Sequence, residues 1–131
     1  MPQAPQAKAS PVILLVDDLA SIRNLGKVIL DRHGYTTLTA ESGTEALAIY
    51  GEQHPRIDLV ILDLTMPGIS GLETWSRLRD INPDVRVIIA SGYSDCAVPE
   101  GEAVSPESFI TKPYPPEVLV DAVQSALGGA D

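Results

Sequence analysis

Cysteine, aromatic residues and positive charge are all scarce in this chain. Its 131 residues include one cysteine, one tryptophan and one phenylalanine. The lone Cys96 excludes an internal disulfide and suits a reducing compartment, so a cytoplasmic location is expected. Lysine and arginine number 9 against 18 aspartates and glutamates, a formal net charge of -9. Such a surface repels a phosphate backbone, which argues against direct nucleic acid binding. No apolar run approaches the roughly 18 residues of a membrane helix, so no membrane insertion is expected. The start of the chain has no basic patch followed by an apolar stretch, so it does not read as a secretory signal. His33 and His54 stand apart without metal-type spacing, which suits surface or capping roles.

What is present is an ordinary globular composition, 44% hydrophobic and 21% charged, at a length that suits one domain with a real core. Residues 1–10, rich in Pro, Ala and Gln, read as a flexible linker or tail. Residues 11–128 read as the folded domain and 129–131 as a C-terminal tail. Within the domain, strand and helix signals alternate. Val12 to Val16 is a continuous apolar run suited to a buried strand. Ile22, Leu25, Ile29 and Leu30 then form a helical stripe, with Gly34 placed as its C-terminal cap. Tyr35 to Thr39 reads as a second strand. Ser42 with Glu45, and Ser70 with Glu73, are capping-box pairs that open two further helices. Ala46, Ile49 and Tyr50 face the core from one of them; Leu72, Trp75 and Leu78 do so from the other. Leu59 to Leu62, Val85 to Ala90 and Phe109 to Thr111 are strand-like. Pro115 and Pro116 suit a helix start, followed by the stripe Leu119, Ala122, Val123 and Ala126, with Gly128 ending the helix.

That rhythm implies right-handed crossovers and a mainly parallel sheet covered on both faces. Chemistry in such sheets gathers beyond the carboxyl ends of the strands. Those ends carry Asp17-Asp18, Asp63, Ser91-Gly92 and Lys112-Pro113. Three carboxylates, a hydroxyl and an ammonium in one crevice are costly unless a cation offsets the repulsion. Mg²⁺ suits such an oxygen-rich set, and the group as a whole suits phosphoryl transfer to a carboxylate.

The segments ILLVDD, VILDLTMPGISG, VIIASGYS and FITKPY, in that order, resemble the receiver domains of two-component response regulators. Their wording is most like receivers attached to hybrid sensor histidine kinases. The resemblance implies an α/β, flavodoxin-like, doubly wound five-stranded parallel sheet in the order 2-1-3-4-5. It implies that Asp63 is the phosphoacceptor, taking its phosphoryl group from a phosphohistidine in a Mg²⁺-dependent reaction. It assigns Asp17, Asp18, Asp63 and the Thr65 carbonyl to the metal. Lys112 becomes the partner of the phosphoryl group, ahead of a cis peptide to Pro113. Ser91 becomes the switch hydroxyl, and Phe109 the aromatic that follows it without a hydroxyl of its own. The implied partners are a histidine kinase or a histidine phosphotransfer domain, with the chain a monomer or weak dimer. As an isolated domain it is not expected to be an enzyme beyond self-phosphorylation and autodephosphorylation, while a hybrid histidine kinase is one expected parent.

Each residue also has a plainer reading. Asp63 alone suits a turn cap, Ser91 a turn residue and Lys112 a snorkelling strand-end lysine. Phe109 suits the core as well as a gate, and Trp75 suits helix-to-sheet packing. Gly68 and Gly71 serve the turn after Asp63. The competing functions are an interaction module that is never phosphorylated and an aspartyl-phosphate phosphohydrolase. Asp63-Leu64-Thr65 lacks the second acid that haloacid-dehalogenase-like hydrolases carry two residues on. The chain departs from the receiver pattern at SDCAVPEGEAVSPE, where Pro99, Gly101 and Pro106 imply a short or irregular fourth helix. Gly92 implies an open approach to the phosphoryl group.

Overall fold

The computed structural model describes residues 11–63, 71–91, 108–111 and 115–127, with the backbone alone described at Gly71, Leu72, Ser91, Ser108, Phe109 and Thr111. The first strand is β1 (Val12–Val16), every residue of which is buried. It leads to α1 (Ala20–Arg32), β2 (Thr36–Ala40) and α2 (Gly43–Gln53), then to β3 (Leu59–Asp63), α3 (Gly71–Ile81) and β4 (Val87–Ser91). The described residues end with β5 (Ser108–Thr111) and α4 (Pro116–Ala126). The sheet has five strands in the order β2-β1-β3-β4-β5, as the sequence led us to expect. All four pairings are parallel.

Because successive residues of a strand face opposite ways, one apolar run can serve two cores. Val12, Leu14 and Val16 of β1 join Val60, Leu62, Val87 and Ile89 on one face, under Ala46 and Tyr50 of α2 and Trp75 and Leu78 of α3. Ile13 and Leu15 join Leu59, Ile61, Ile88, Ala90 and Ile110 on the other, under Ile29 and Leu30 of α1 and Leu119, Val123 and Ala126 of α4. This double coverage explains why the central strands are unbroken apolar runs instead of alternating ones.

The helix ends follow local chemistry. Past α1, Gly34 takes φ +90°, the Gly34 N–H donates to Asp31 O and the Tyr35 N–H to Leu30 O. These two bonds form a Schellman motif, which satisfies the last carbonyls of the helix. They also hold Tyr35 to α1, so β2 begins one residue later than its β-branched composition suggests. At α2, Ser42 Oγ accepts from the Glu45 N–H at 3.0 Å. The return bond of the capping box is shifted by one residue: the Glu41 N–H, not that of Ser42, donates to Glu45 Oε1 at 2.7 Å. Pro115 caps α4 and Pro116 opens it. Val85 lies outside β4 because its N–H donates to Asn82 O in the preceding turn.

One expectation for α1 is corrected. Leu25 was expected on the buried stripe, yet it is 53% exposed. The buried residues of this helix are Gly26, Ile29 and Leu30, with Ile22 partly buried beside them. At 100° per residue Leu25 lies about 90° from the centre of that stripe, on its solvent flank. The expected irregular fourth helix, the Ser70 end of the second capping box, Gly68, Gly92, Cys96 and Gly128 all lie outside the described residues.

Candidate functional site

The site begins with register. Val16 of β1 is paired with Leu62 of β3, so the next residues, Asp17 and Asp63, leave the sheet side by side. Asp63 is in turn the register partner of Ala90, which puts Ser91 one residue beyond it on β4. Ser91 pairs with Thr111 of β5, the residue before Lys112. Five-stranded parallel order alone therefore brings Asp17, Asp63, Ser91 and the end of β5 to one edge of the sheet.

Asp17, Asp18 and Asp63 each offer a carboxylate oxygen within 4.8 Å of the others. Asp17 is 1% exposed and Asp63 0%, whereas Asp18 is half-buried. Asp17 is held by its main chain as well as its side chain. Its N–H donates to Ala40 O of β2 at 3.1 Å, and its Oδ1 accepts from the Leu19 N–H at 2.9 Å. Its carbonyl accepts from Arg23 Nη1 of α1 at 2.7 Å. No side chain at the N-cap position Leu19 caps α1; the Asp17 carboxylate takes that role from two residues upstream.

Two buried carboxylates and a half-buried third form a hard, oxygen-only donor set. That chemistry fits Mg²⁺, which takes one or two carboxylates and keeps several waters, and does not resemble a nitrogen- or sulfur-rich transition-metal site. A separate cavity of about 380 Å³ opens at the opposite end of the sheet, among Pro11, Tyr50, Ile57, Asp58, Val85 and Arg86. Its Asp58 is engaged by the Val12 N–H at 2.8 Å, and it lies at the strand starts, away from the carboxylate cluster.

A family model, the response regulator receiver domain, matches residues 13–124. The chain belongs to the response regulator receiver family. The receiver is 34% identical over 116 residues to sporulation initiation phosphotransferase F of Bacillus subtilis (strain 168), covering 88% of this chain and 92% of that protein. It is 33% identical over 130 residues to the sensor kinase CckA of Brucella abortus (strain 2308), covering 98% of this chain and 14% of the kinase. Among solved structures it superposes on the response regulator TrrA of Thermotoga maritima in complex with Mg²⁺-BeF with a TM-score of 0.78 and 36% identity, covering 89% of this chain and 99% of that one. The fold class and the family read from the four motifs thus both hold.

The receiver brings three of the expected site residues together as side chains: Asp17, Asp18 and Asp63. It places Ser91 and Phe109 by backbone, at the end of β4 and within β5. Thr65, Lys112 and Pro113 lie outside the described residues. Arg23 was missed by sequence reading. Nothing distinguishes it there from a solvent-facing arginine early in a helix, because its partner is a main-chain carbonyl. No helix among the described residues is long and apolar enough to cross a membrane.

Proposed function

We propose that this receiver accepts a phosphoryl group on Asp63 from a phosphohistidine of a histidine kinase or phosphotransfer domain, in a Mg²⁺-dependent reaction, in the cytoplasm. The observation that carries the reading is the burial of Asp63 within 4.8 Å of the Asp17 and Asp18 carboxylates. The bond from the Leu19 N–H accounts for Asp17 alone; gathering three carboxylates is costly, since like charges at that distance repel and each loses hydration. It gains purpose when a dication is shared between them.

In this reading Asp17, Asp18, Asp63 and the Thr65 carbonyl hold the metal. When bound, Mg²⁺ neutralises the charge on the transferring phosphoryl oxygens. An Asp63 carboxylate oxygen attacks phosphorus while the bond from phosphorus to the histidine nitrogen breaks, and the imidazole leaves with that electron pair. The product on Asp63 is an acyl phosphate. Lys112, assigned by the FITKPY motif, pairs with the phosphoryl group. Ser91, one register step beyond Asp63, donates its hydroxyl to a phosphoryl oxygen, and Phe109 follows the space it leaves. Phosphorylation then biases a two-state equilibrium that a partner reads. Likeness to phosphotransferase F, which this chain spans almost fully, fits a stand-alone regulator, and likeness to one portion of CckA fits a hybrid-kinase parent. A phosphorelay role is compatible with either.

Intact mass after incubation with a small acyl phosphate donor and Mg²⁺ tests the reading. One added phosphoryl group is expected, absent in Asp63→Asn and absent in excess chelator. No adduct, together with no Mg²⁺ binding, would assign the chain to the unphosphorylated interaction modules. Sustained turnover of external phosphate esters would assign it to the phosphohydrolases.

A further inference from the structure

We infer that Arg23 is a positioning residue for the carboxylate cluster, acting through the main chain of Asp17. The inference rests on the Asp63 reading above.

Three observations carry it. Asp17 is the first of three residues, Asp17, Asp18 and Leu19, between the end of β1 and the start of α1, outside both regular elements. The aim of a carboxylate there depends on how its peptide planes are held as well as on the Leu19 N–H that its Oδ1 meets. One plane is tied to β2 by the Asp17 N–H at 3.1 Å from Ala40 O. The other, between Asp17 and Asp18, is tied by Arg23 Nη1 at 2.7 Å from the Asp17 carbonyl. That second peptide plane also sets the direction of Asp18. Arg23 itself is anchored, since its N–H donates to Leu19 O at 2.9 Å as the first bond of α1. The guanidinium therefore clamps the start of the helix to the end of the strand, and one bond governs the aim of two of the three carboxylates.

A positioning role and a purely electrostatic role predict opposite signs. A guanidinium near the cluster repels a dication, so if charge were its only effect, removing Arg23 would tighten Mg²⁺ binding. If it positions the carboxylates, removing it weakens binding. Arg23 is half-buried and its charge partly screened by water, which reduces the repulsion. The bond it makes is short and charge-assisted, the stronger class of hydrogen bond. Residues that orient metal ligands from behind typically change metal affinity by about 10–100-fold, and a clamp on one ligand's main chain belongs near the lower bound.

The test is Mg²⁺ titration by calorimetry of wild type, Arg23→Ala and Arg23→Lys, with unfolding in chelator measured alongside. Expected are a Kd about tenfold higher for Arg23→Ala and at least half of that loss, on a logarithmic scale, restored by lysine. Phosphorylation of Asp63 by an acyl phosphate is expected to slow in the same order at subsaturating Mg²⁺. A helix clamp with no bearing on the site would lower stability in chelator and leave the Kd unmoved, which overturns the inference. Tighter binding by Arg23→Ala, or no rescue by lysine, overturns it too. Should Arg23→Ala not fold, Arg23→Gln, expected to bind several-fold more weakly than Arg23→Lys, carries the same comparison. A wild-type chain that binds no Mg²⁺ overturns the Asp63 reading and this inference together, whereas equal binding by wild type and variant overturns this inference alone.

Discussion

Replacing Asp63 by asparagine is expected to make the metal-free protein more stable while abolishing its chemistry. The carboxylate oxygens of Asp17 and Asp63 lie within 4.8 Å, and both residues are buried. At that distance and an effective dielectric constant of 20, two full charges repel by about 3.5 kcal/mol. Delocalisation over two oxygens, neighbouring charges and solvent reaching Asp18 reduce this, so a net gain of about 1–3 kcal/mol is expected for the variant. For a chain of this length, 1 kcal/mol moves Tm by roughly 4 °C, which puts the shift at roughly 4 to 12 °C in chelator and low salt. Added Mg²⁺ changes the comparison. At ten times its Kd the ion stabilises wild type by about 1.4 kcal/mol, and if asparagine weakens binding tenfold the variant gains only about 0.4 kcal/mol at the same concentration. The gap should therefore narrow by about 1 kcal/mol. Thermal unfolding with and without Mg²⁺, at two ionic strengths, measures all of this. An Asp63→Asn protein less stable than wild type in chelator, with an equal gain from Mg²⁺, would refute the view that these carboxylates are held together at a cost for the sake of a cation.

Other expectations concern the frame that holds the site. Gly34→Ala should cost about 1 kcal/mol, because φ is +90° there; no atom lies within 4 Å of the added Cβ, so the whole penalty is conformational. Chemical denaturation should show it as a lower midpoint with unchanged slope. Ser42→Ala removes the oxygen that accepts the Glu45 N–H and should cost about 1 kcal/mol, with Ser42→Asp close to wild type. Tyr50→Phe removes the hydroxyl that accepts from Asn82 Nδ2 at 3.1 Å, a loss of about 1 kcal/mol at neutral pH. Burial pushes the Tyr50 phenol above its usual value of 10.0, opposed by the Asn82 bond. A raised folded-state pKa means that the tyrosine's contribution is complete below pH 10 and declines as pH rises toward the folded value. The stability advantage of wild type over Tyr50→Phe should therefore shrink above that point, and a constant gap from pH 8 to 11 would contradict it.

Much of the fold was legible because its signals are chain-local. VILLV and LVIL are too short for helices and too apolar for a half-exposed strand, which leaves a strand covered on both faces. The capping Ser42 and the terminating Gly34 mark boundaries through bonds made within a few residues. Where reading slipped, the missing information was three-dimensional. Leu25 fits an i, i+3 pattern with Ile22, but whether the stripe runs through Leu25 or through Gly26 depends on how α1 rolls against the sheet. A glycine contributes nothing to an apolar count even when it is the residue facing inward. Likewise Thr36 and Ala40 bound β2 because the Schellman turn claims Tyr35, a competition that strand propensity does not register.

The candidate site was legible for a different reason, and only in part. Asp17, Asp18 and Asp63 are readable because their side chains carry charge, and burying charge at strand ends demands an explanation. The parallel order of strands then converts residues 46 positions apart in the chain, Asp17 and Asp63, into neighbours. Arg23 shows the limit of that approach. Its partner is a peptide carbonyl, a group that every residue carries, so no pattern of side-chain types along the chain can indicate which carbonyl it meets. The same holds for Leu19, whose N–H rather than side chain steadies the Asp17 carboxylate. A site of this kind has two layers. One is written in residue identities and can be read from them. The other is written in backbone direction, and it becomes visible only once the turn between β1 and α1 has a shape.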